Sequence, residues 1–145
     1  MKRLITLLNT ILLTGLIHAQ IFNVRDYGAV SDTTVLSTQA IQRAIDDCHQ
    51  AGGGTVWIPA GKYLCTELIL KDNITFHLDN GATIYASRKI KDYANSKGYE
   101  VGATDIDKAY ALIRAYQAKN ISVTGKGTLH CRAERISYQR TPYPV

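Results

Sequence analysis

Paired carboxylates, histidines, cysteines and aromatic rings are the side chains here that could act on a ligand, and their spacing decides what each can do. General acid and base work by a pair of carboxyls needs both to project from one surface toward the reacting group. Asp46-Asp47 is the one adjacent acidic pair. Helical neighbours point about 100° apart, so this pair reads as a solvated helix face rather than an acid and base. Asp105 and Asp107 would share a side if extended and suit a cation or sugar hydroxyls, but their polar surroundings favour solvated charge. His18, His49, His77 and His130 have no Asp or Ser partner at a motif spacing, which predicts no triad and no metal site. Cys48, Cys65 and Cys131 form an odd count without a CxxC pair, so neither a zinc site nor a disulfide framework is signalled. Whether Cys48 and Cys65 pair is left open, because sequence does not fix connectivity.

Trp57, Tyr63, Tyr85, Tyr93 and Tyr99 are the rings that could stack on sugars. Trp57 alternates with Val56 and Ile58 and reads as a structural residue of a strand. Tyr93 and Tyr99 fall in a long polar loop, where binding residues often sit on rigid scaffolds, and are the substrate-binding candidates. No catalytic residue, metal ligand or cofactor is expected.

The elements that must position these residues are one helix followed by short strands. Residues 21–27 alternate apolar and polar side chains after the first step, which predicts a strand closed by Gly28. Ser37 is placed to cap a helix over residues 38–50, with Ala40, Ile41, Ala44, Ile45 and Cys48 on one stripe. Gly52-Gly53-Gly54 stops it. Strand-like runs follow at residues 55–58, 68–70, 74–78, 82–85, 111–114, 121–124 and 128–130, each fenced by Gly, Pro, Asn or Asp. Residues 87–110 interrupt them as an inserted loop, with a short helical turn expected near 105–109. Asn73-Ile74-Thr75 with Gly81-Ala82-Thr83-Ile84 recurs as Asn120-Ile121-Ser122 with Gly125-Lys126-Gly127-Thr128-Leu129, two residues shorter. Such a repeat suits a solenoid, yet a sandwich also shows short strands at this spacing, so periodicity alone leaves the two even.

Charge and the N-terminus bound the setting. Lys plus Arg exceed Asp plus Glu by 17 to 12, but residues 20–130 hold 12 basic and 11 acidic side chains. The excess lies at the two ends, so no basic stripe and no nucleic-acid partner is expected. Met1-Lys2-Arg3, an apolar run over residues 4–17 and Ala19 describe a secretory signal cleaved after residue 19. The run is shorter than the ~20 apolar residues of a membrane span, so no membrane segment is expected after cleavage and the product is secreted or periplasmic.

Three segments carry a family resemblance: Phe22-Asn23-Val24-Arg25-Asp26-Tyr27-Gly28-Ala29-Val30, then Thr38-Gln39-Ala40-Ile41-Gln42-Arg43-Ala44-Ile45-Asp46, then Gly52-Gly53-Gly54-Thr55-Val56-Trp57-Ile58-Pro59-Ala60-Gly61-Lys62-Tyr63-Leu64. Together they resemble the opening of the pectin-degrading enzymes, most closely polygalacturonases of glycoside hydrolase family 28 in the pectate-lyase-like superfamily. The resemblance covers residues 22 to about 128. It implies an all-β fold, a right-handed parallel β-helix with an N-terminal capping strand and helix, and an acidic plant polysaccharide (pectin, galacturonan) as partner of the full-length proteins. A pectate lyase or epimerase relative, or a non-catalytic carbohydrate-binding module, is the alternative.

The sequence departs from the family pattern at Ser31-Asp32-Thr33, where Gly-Asp-Gly is usual, and after Leu129. There His130-Cys131-Arg132-Ala133-Glu134-Arg135-Ile136-Ser137 replaces Asp-Gly-x-Gly and further coils. The family's Asn-Thr-Asp, Asp-Asp and Gly-His-Gly segments lie on later coils. The expected organisation is therefore a signal at 1–19, a cap and first coils at 20–130, and an unpatterned tail at 131–145 outside the fold, a truncated product without catalytic coils.

Overall fold

The computed structural model describes residues 20–93, 99–100, 108–109 and 111–132. The proposed signal, Asp105, Asp107 and the tail from residue 133 lie outside them. Ile21–Asn23 forms strand β1, but the strand ends there and Val24–Tyr27 tightens into a 3-10 turn. Asn23 causes the switch. Its side-chain oxygen accepts the Arg25 N–H at 3.0 Å, and Gly28 donates back to the Arg25 carbonyl at 3.0 Å, an Asx-type turn that outcompetes the extended ladder.

Helix α1 (Thr38–Gln50) buries the expected stripe of Ala40, Ile41, Ala44, Ile45 and Cys48. Ser37 does not cap it with its side chain. Its N–H is held by the Leu64 carbonyl at 2.8 Å, and its hydroxyl instead accepts from the Val30 N–H and donates to the Val30 carbonyl. The hydroxyl closes the preceding loop rather than the helix. At the other end Gly52 donates to His49 and Gly53 to Cys48, the paired return bonds that end a helix in a left-handed turn. The Thr33 departure is harmless, since Asp32 accepts both the Thr34 N–H and hydroxyl at 2.7 Å and Thr33 has no positive φ.

The remaining strands wind as coils. The first coil is β2 (Gly54–Ile58), β3 (Gly61–Cys65) and β4 (Leu68–Leu70). The second begins with β5 (Ile74–Leu78) and β6 (Ala82–Ala86), and then leaves the coil through a 3-10 turn at Ile90–Tyr93. A short antiparallel pair, β7 (Tyr99–Glu100) with β8 (Lys108–Ala109), belongs to this excursion. The coil resumes at β9 (Ile113–Ala115), and β10 (Ser122–Gly125) and β11 (Thr128–His130) start the third. Residues 108–109, expected within a helical turn, are thus strand, and the helical turn sits at the start of the loop.

Each coil gives one strand to each face. The first sheet runs β1-β2-β5-β10, the second β3-β6-β11 and the third β4-β9. Every pair among them is parallel. Parallel neighbours reached without crossover helices exclude the sandwich and establish a β-helix solenoid. The sequence repeat is its register. Ser122 stands on Thr75 at an offset of 47, and Thr128 stands on Thr83 at 45, so the two-residue shortening falls at the corner between sheets.

Inside, Val56 stacks on Phe76, Ile58 on Leu78 and Tyr63 on Ile84, all at most 2% exposed. The first coil is covered on every face: β1 extends the first sheet, Leu36 bridges Leu64 to extend the second, and α1 stands where a strand would extend the third. Gln42 does this by imitation. Its side-chain oxygen accepts the Ile69 N–H at 2.9 Å while its NH2 donates to the Ile69 carbonyl at 3.0 Å, the two bonds a neighbouring strand would make. A free parallel edge is thereby closed.

All three cysteines are free, so Cys48 and Cys65 do not pair. Burial pushes the Cys48 thiol up to about 11 and the Cys65 thiol up to about 12. A thiol reagent at pH 8 is expected to modify only exposed Cys131 in the native chain and all three after guanidinium. Between the ordinary thiol pKa and these values the unfolded state binds fewer protons than the native one, so stability falls as pH rises from about 9. Fast native modification of two or three thiols would contradict this burial.

Candidate functional site

Among the described residues, the outward side of the second sheet carries the most pronounced cluster of ligand-binding chemistry. Alternation along β3, β6 and β11 turns Tyr63 and Ile84 inward and leaves two outward columns, Lys62-Thr83-Thr128 and Leu64-Tyr85-His130. The Tyr85 and His130 rings lie 5.2 Å apart, tilted by 35°. Just past β11, Arg132 adopts φ 50 and brings its guanidinium to 4.6 Å from the Tyr85 ring centre, a cation–π distance. Its N–H donates to His130 Nδ1 at 3.2 Å, so the neutral imidazole carries its own N–H on Nε2. Lys62 on the same face, and Arg88 and Lys89 where the excursion begins, are exposed.

No outward position of these three strands is Asp or Glu. The face therefore offers a fork-shaped cation, an imidazole and an ammonium beside an aromatic ring and threonine hydroxyls, a set that suits a carboxylate-bearing ligand. The near-neutral charge of residues 20–130 gave no sign of this clustering. Coil winding brings Lys62, His130 and Arg132 onto one face although 68 residues separate the first two.

The residues singled out in the sequence fare differently. Tyr93 is half-buried and its hydroxyl donates to the Ser87 carbonyl at 3.1 Å. Burial, then Asp92, raises its phenol pKa, so it braces the root of the excursion. Ser87 in turn donates its hydroxyl to Asp92. Tyr99 lies in β7, and its side chain is outside the described residues. Trp57 is part of the first coil, but it is half-exposed on the outer face, opposite buried Val56 and Ile58. Tyr63 lies in the core, its hydroxyl donating to the Pro59 carbonyl at 3.0 Å. Asp46 pairs with Lys71 at 2.7 Å, whereas burial and then nearby Asp47 raise the Tyr27 phenol pKa, so the adjacent acids face different neighbours. His77 points outward as expected, and His49 Nδ1 lies 3.3 Å from the Asp72 carbonyl.

His130, the last residue of the expected coils, and Arg132, expected in the tail outside the fold but packed on Tyr85 and His130, are the functional candidates that reasoning missed. The signal was present in the repeat, since Thr83-Ile84-Tyr85 aligns with Thr128-Leu129-His130 and puts the imidazole beside the tyrosine.

A family model described as rhamnogalacturonase A/epimerase, pectate lyase-like matches residues 21–141. An exo-poly-alpha-D-galacturonosidase of Dickeya chrysanthemi is 34% identical over 130 residues, covering 83% of this chain and 21% of that protein. A mannuronan C5-epimerase of Azotobacter vinelandii is 60% identical over 42 residues, 29% of this chain and 2% of that one. Among solved structures, the family 28 exopolygalacturonase of Yersinia enterocolitica superposes with a TM-score of 0.64 at 36% identity, covering 77% of this chain and 21% of that chain. This chain thus spans about a fifth of the length of the galacturonosidase it matches, and its structural neighbours are right-handed parallel β-helices.

Proposed function

This chain belongs to the rhamnogalacturonase A/epimerase, pectate lyase-like family, and from that premise we propose that it is an exported, polygalacturonase-like protein whose second sheet grips the acidic chain of galacturonan. The observation that carries this reading is the Arg132-Tyr85-His130 cluster on a solenoid face without carboxylates. Export rests on the basic head and apolar run of residues 1–17. An epimerase relative is the second reading, favoured by the short stretch of high identity to the mannuronan epimerase.

Hexagalacturonate is expected to bind the full chain, with affinity falling as salt screens the charges. Arg132→Ala should weaken binding about tenfold, the loss of one charge-assisted contact of ~1.4 kcal/mol. Binding indifferent to both salt and Arg132→Ala would remove the second sheet as the site. Hydrolysis is a separate matter, because inversion needs two unencumbered carboxyls across a water. Of the acids whose side chains are described, Asp32 is held by Thr34, Asp46 by Lys71, Glu67 by Arg114, Asp72 by the Lys119 N–H, Asp79 by the Asn80 N–H and Asp92 by Ser87, while Asp26 and Asp47 lie apart in the capping turn and helix. The chain by itself should release no reducing ends from polygalacturonate. Release abolished by an Asp105 or Asp107 substitution would refute this.

A further inference from the structure

The first sheet presents an outer face of a different kind. Ile21, Thr55, Thr75 and Ser122 form one outward column on β1, β2, β5 and β10, and Asn23, Trp57, His77 and Thr124 form the next. The columns are pinned in line. Ser122 Oγ donates to Thr75 Oγ1 at 3.1 Å, and His77 Nδ1 meets Thr124 Oγ1 at 2.9 Å. None of these positions is Lys, Arg, Asp or Glu, and Ile21, Ser122 and Thr124 are exposed while the other five are half-exposed. A solvent-facing sheet surface usually carries charge, partly to prevent association. This one carries hydroxyls, two flat rings and, on its outermost strand, an isoleucine and an amide.

We propose that this face is a second carbohydrate site, one that takes an extended run of uncharged pyranose units, as in the esterified stretches of a polyuronate. Three features favour this occupant. The rungs repeat at ~4.8 Å, close to the advance of one pyranose along an extended chain, so successive sugars meet successive hydroxyls. Trp57 and His77 supply half-exposed aromatic rings, a chemistry that suits the apolar C–H side of a sugar, and each ring also carries a polar nitrogen. Four strands of at most five residues span about 300 Å², far below the ~800 Å² per partner of a stable protein interface. A second copy or a folded partner is not held by such an area, whereas a few sugar units fill it. The face has no cation for a carboxylate, so it discriminates against the charged stretches that suit the second sheet. The choice of polymer rests on the proposed function.

Trp57 is the chain's single tryptophan, so its emission reports this face alone. Methyl-esterified hexagalacturonate should shift that emission saturably in the full chain, and the same oligomer after saponification should not. Thr75→Val and His77→Ala, with folding checked by circular dichroism, should each weaken the esterified ligand by about threefold or more, the loss of one contact. Arg132→Ala should leave it unchanged. No emission shift with the esterified oligomer, or a shift abolished by Arg132→Ala and untouched by the other two, overturns the proposal. If saponified oligomer still binds through Arg132, the proposed function stands without this second site. If only the esterified oligomer binds, the second site stands and the acidic reading of the second sheet falls.

Discussion

Replacing Glu67 with alanine is expected to cost about 3–5 kcal/mol, because it strands a largely buried guanidinium. Glu67 sits one residue before β4 with its side chain only 2% exposed, and Arg114 in β9 reaches it at 2.6 Å while 19% exposed. Apart from each other, Glu67 Oε1 and Arg114 Nη2 have no hydrogen-bond partner. Burying both charges was expensive, so the intact pair need not stabilise the fold by much. Removing one partner keeps the desolvation and loses the attraction. The double variant Glu67→Met with Arg114→Leu should therefore recover most of the loss in a urea titration. The Asp46–Lys71 pair is equally short at 2.7 Å, but its side chains are 33% and 39% exposed, and Asp46→Ala should cost at most ~1 kcal/mol. Similar losses for Glu67→Ala and Asp46→Ala would mean that burial does not govern these pairs.

That pair also explains how the excursion through residues 87–110 is tolerated. Leu68 pairs with Ile113 and donates to the Leu112 carbonyl at 2.9 Å, so the chain re-enters its coil where Glu67 and Arg114 lock the two turns together. Closing a longer loop adds little entropy cost per residue. Two anchored ends are enough.

How much of this was legible varies with the kind of signal. The α1 stripe and its glycine stop were readable because both are local: a helix buries one face at a fixed period, and only the residues past its end need a left-handed backbone. The Asn73 and Asn120 repeat was readable too, and the structure gives its cause. Both residues have positive φ, 62 and 55, at the same corner, and Asn120 Nδ2 donates to Asn73 Oδ1 at 3.0 Å. Asparagine tolerates that backbone and links one coil to the next. Strand β3 was not recognised. Tyr63, Leu64 and Cys65 are all buried, so the period-2 pattern vanishes. Leu64 points outward, but Leu36 and Tyr85 flank it. The second-sheet cluster was hidden for a related reason, since its partners become neighbours only through a register that the intervening excursion obscures.

The same corner yields the second large effect, read by contrast between two adjacent glycines. Gly52 has φ 95 and Gly53 φ 118, so alanine at either position is forced into a backbone that costs an L-residue about 1–2 kcal/mol. Their surroundings differ. A Cβ on Gly52 would meet nothing within 4 Å, whereas one on Gly53 would lie 2.5 Å from the Asn73 carbonyl oxygen and 2.6 Å from the Asn73 Cβ. Asn73 cannot step aside cheaply. Its carbonyl accepts the Gly54 N–H at 3.1 Å, its N–H donates to Lys119 at 3.0 Å, and its side chain holds Asn120. Gly53→Ala must therefore push the second coil off the first or distort the helix end, adding about 1–3 kcal/mol of overpacking to the conformational cost. In parallel urea titrations Gly52→Ala should lose about 1–2 kcal/mol and Gly53→Ala about 2–5 kcal/mol. Glycine at position 53 would then be demanded by the coil stacked against it and not only by the helix it ends. Equal losses at the two positions would show that helix termination alone sets the requirement, and that the corner stacking of Gly53 under Asn73 contributes nothing to stability.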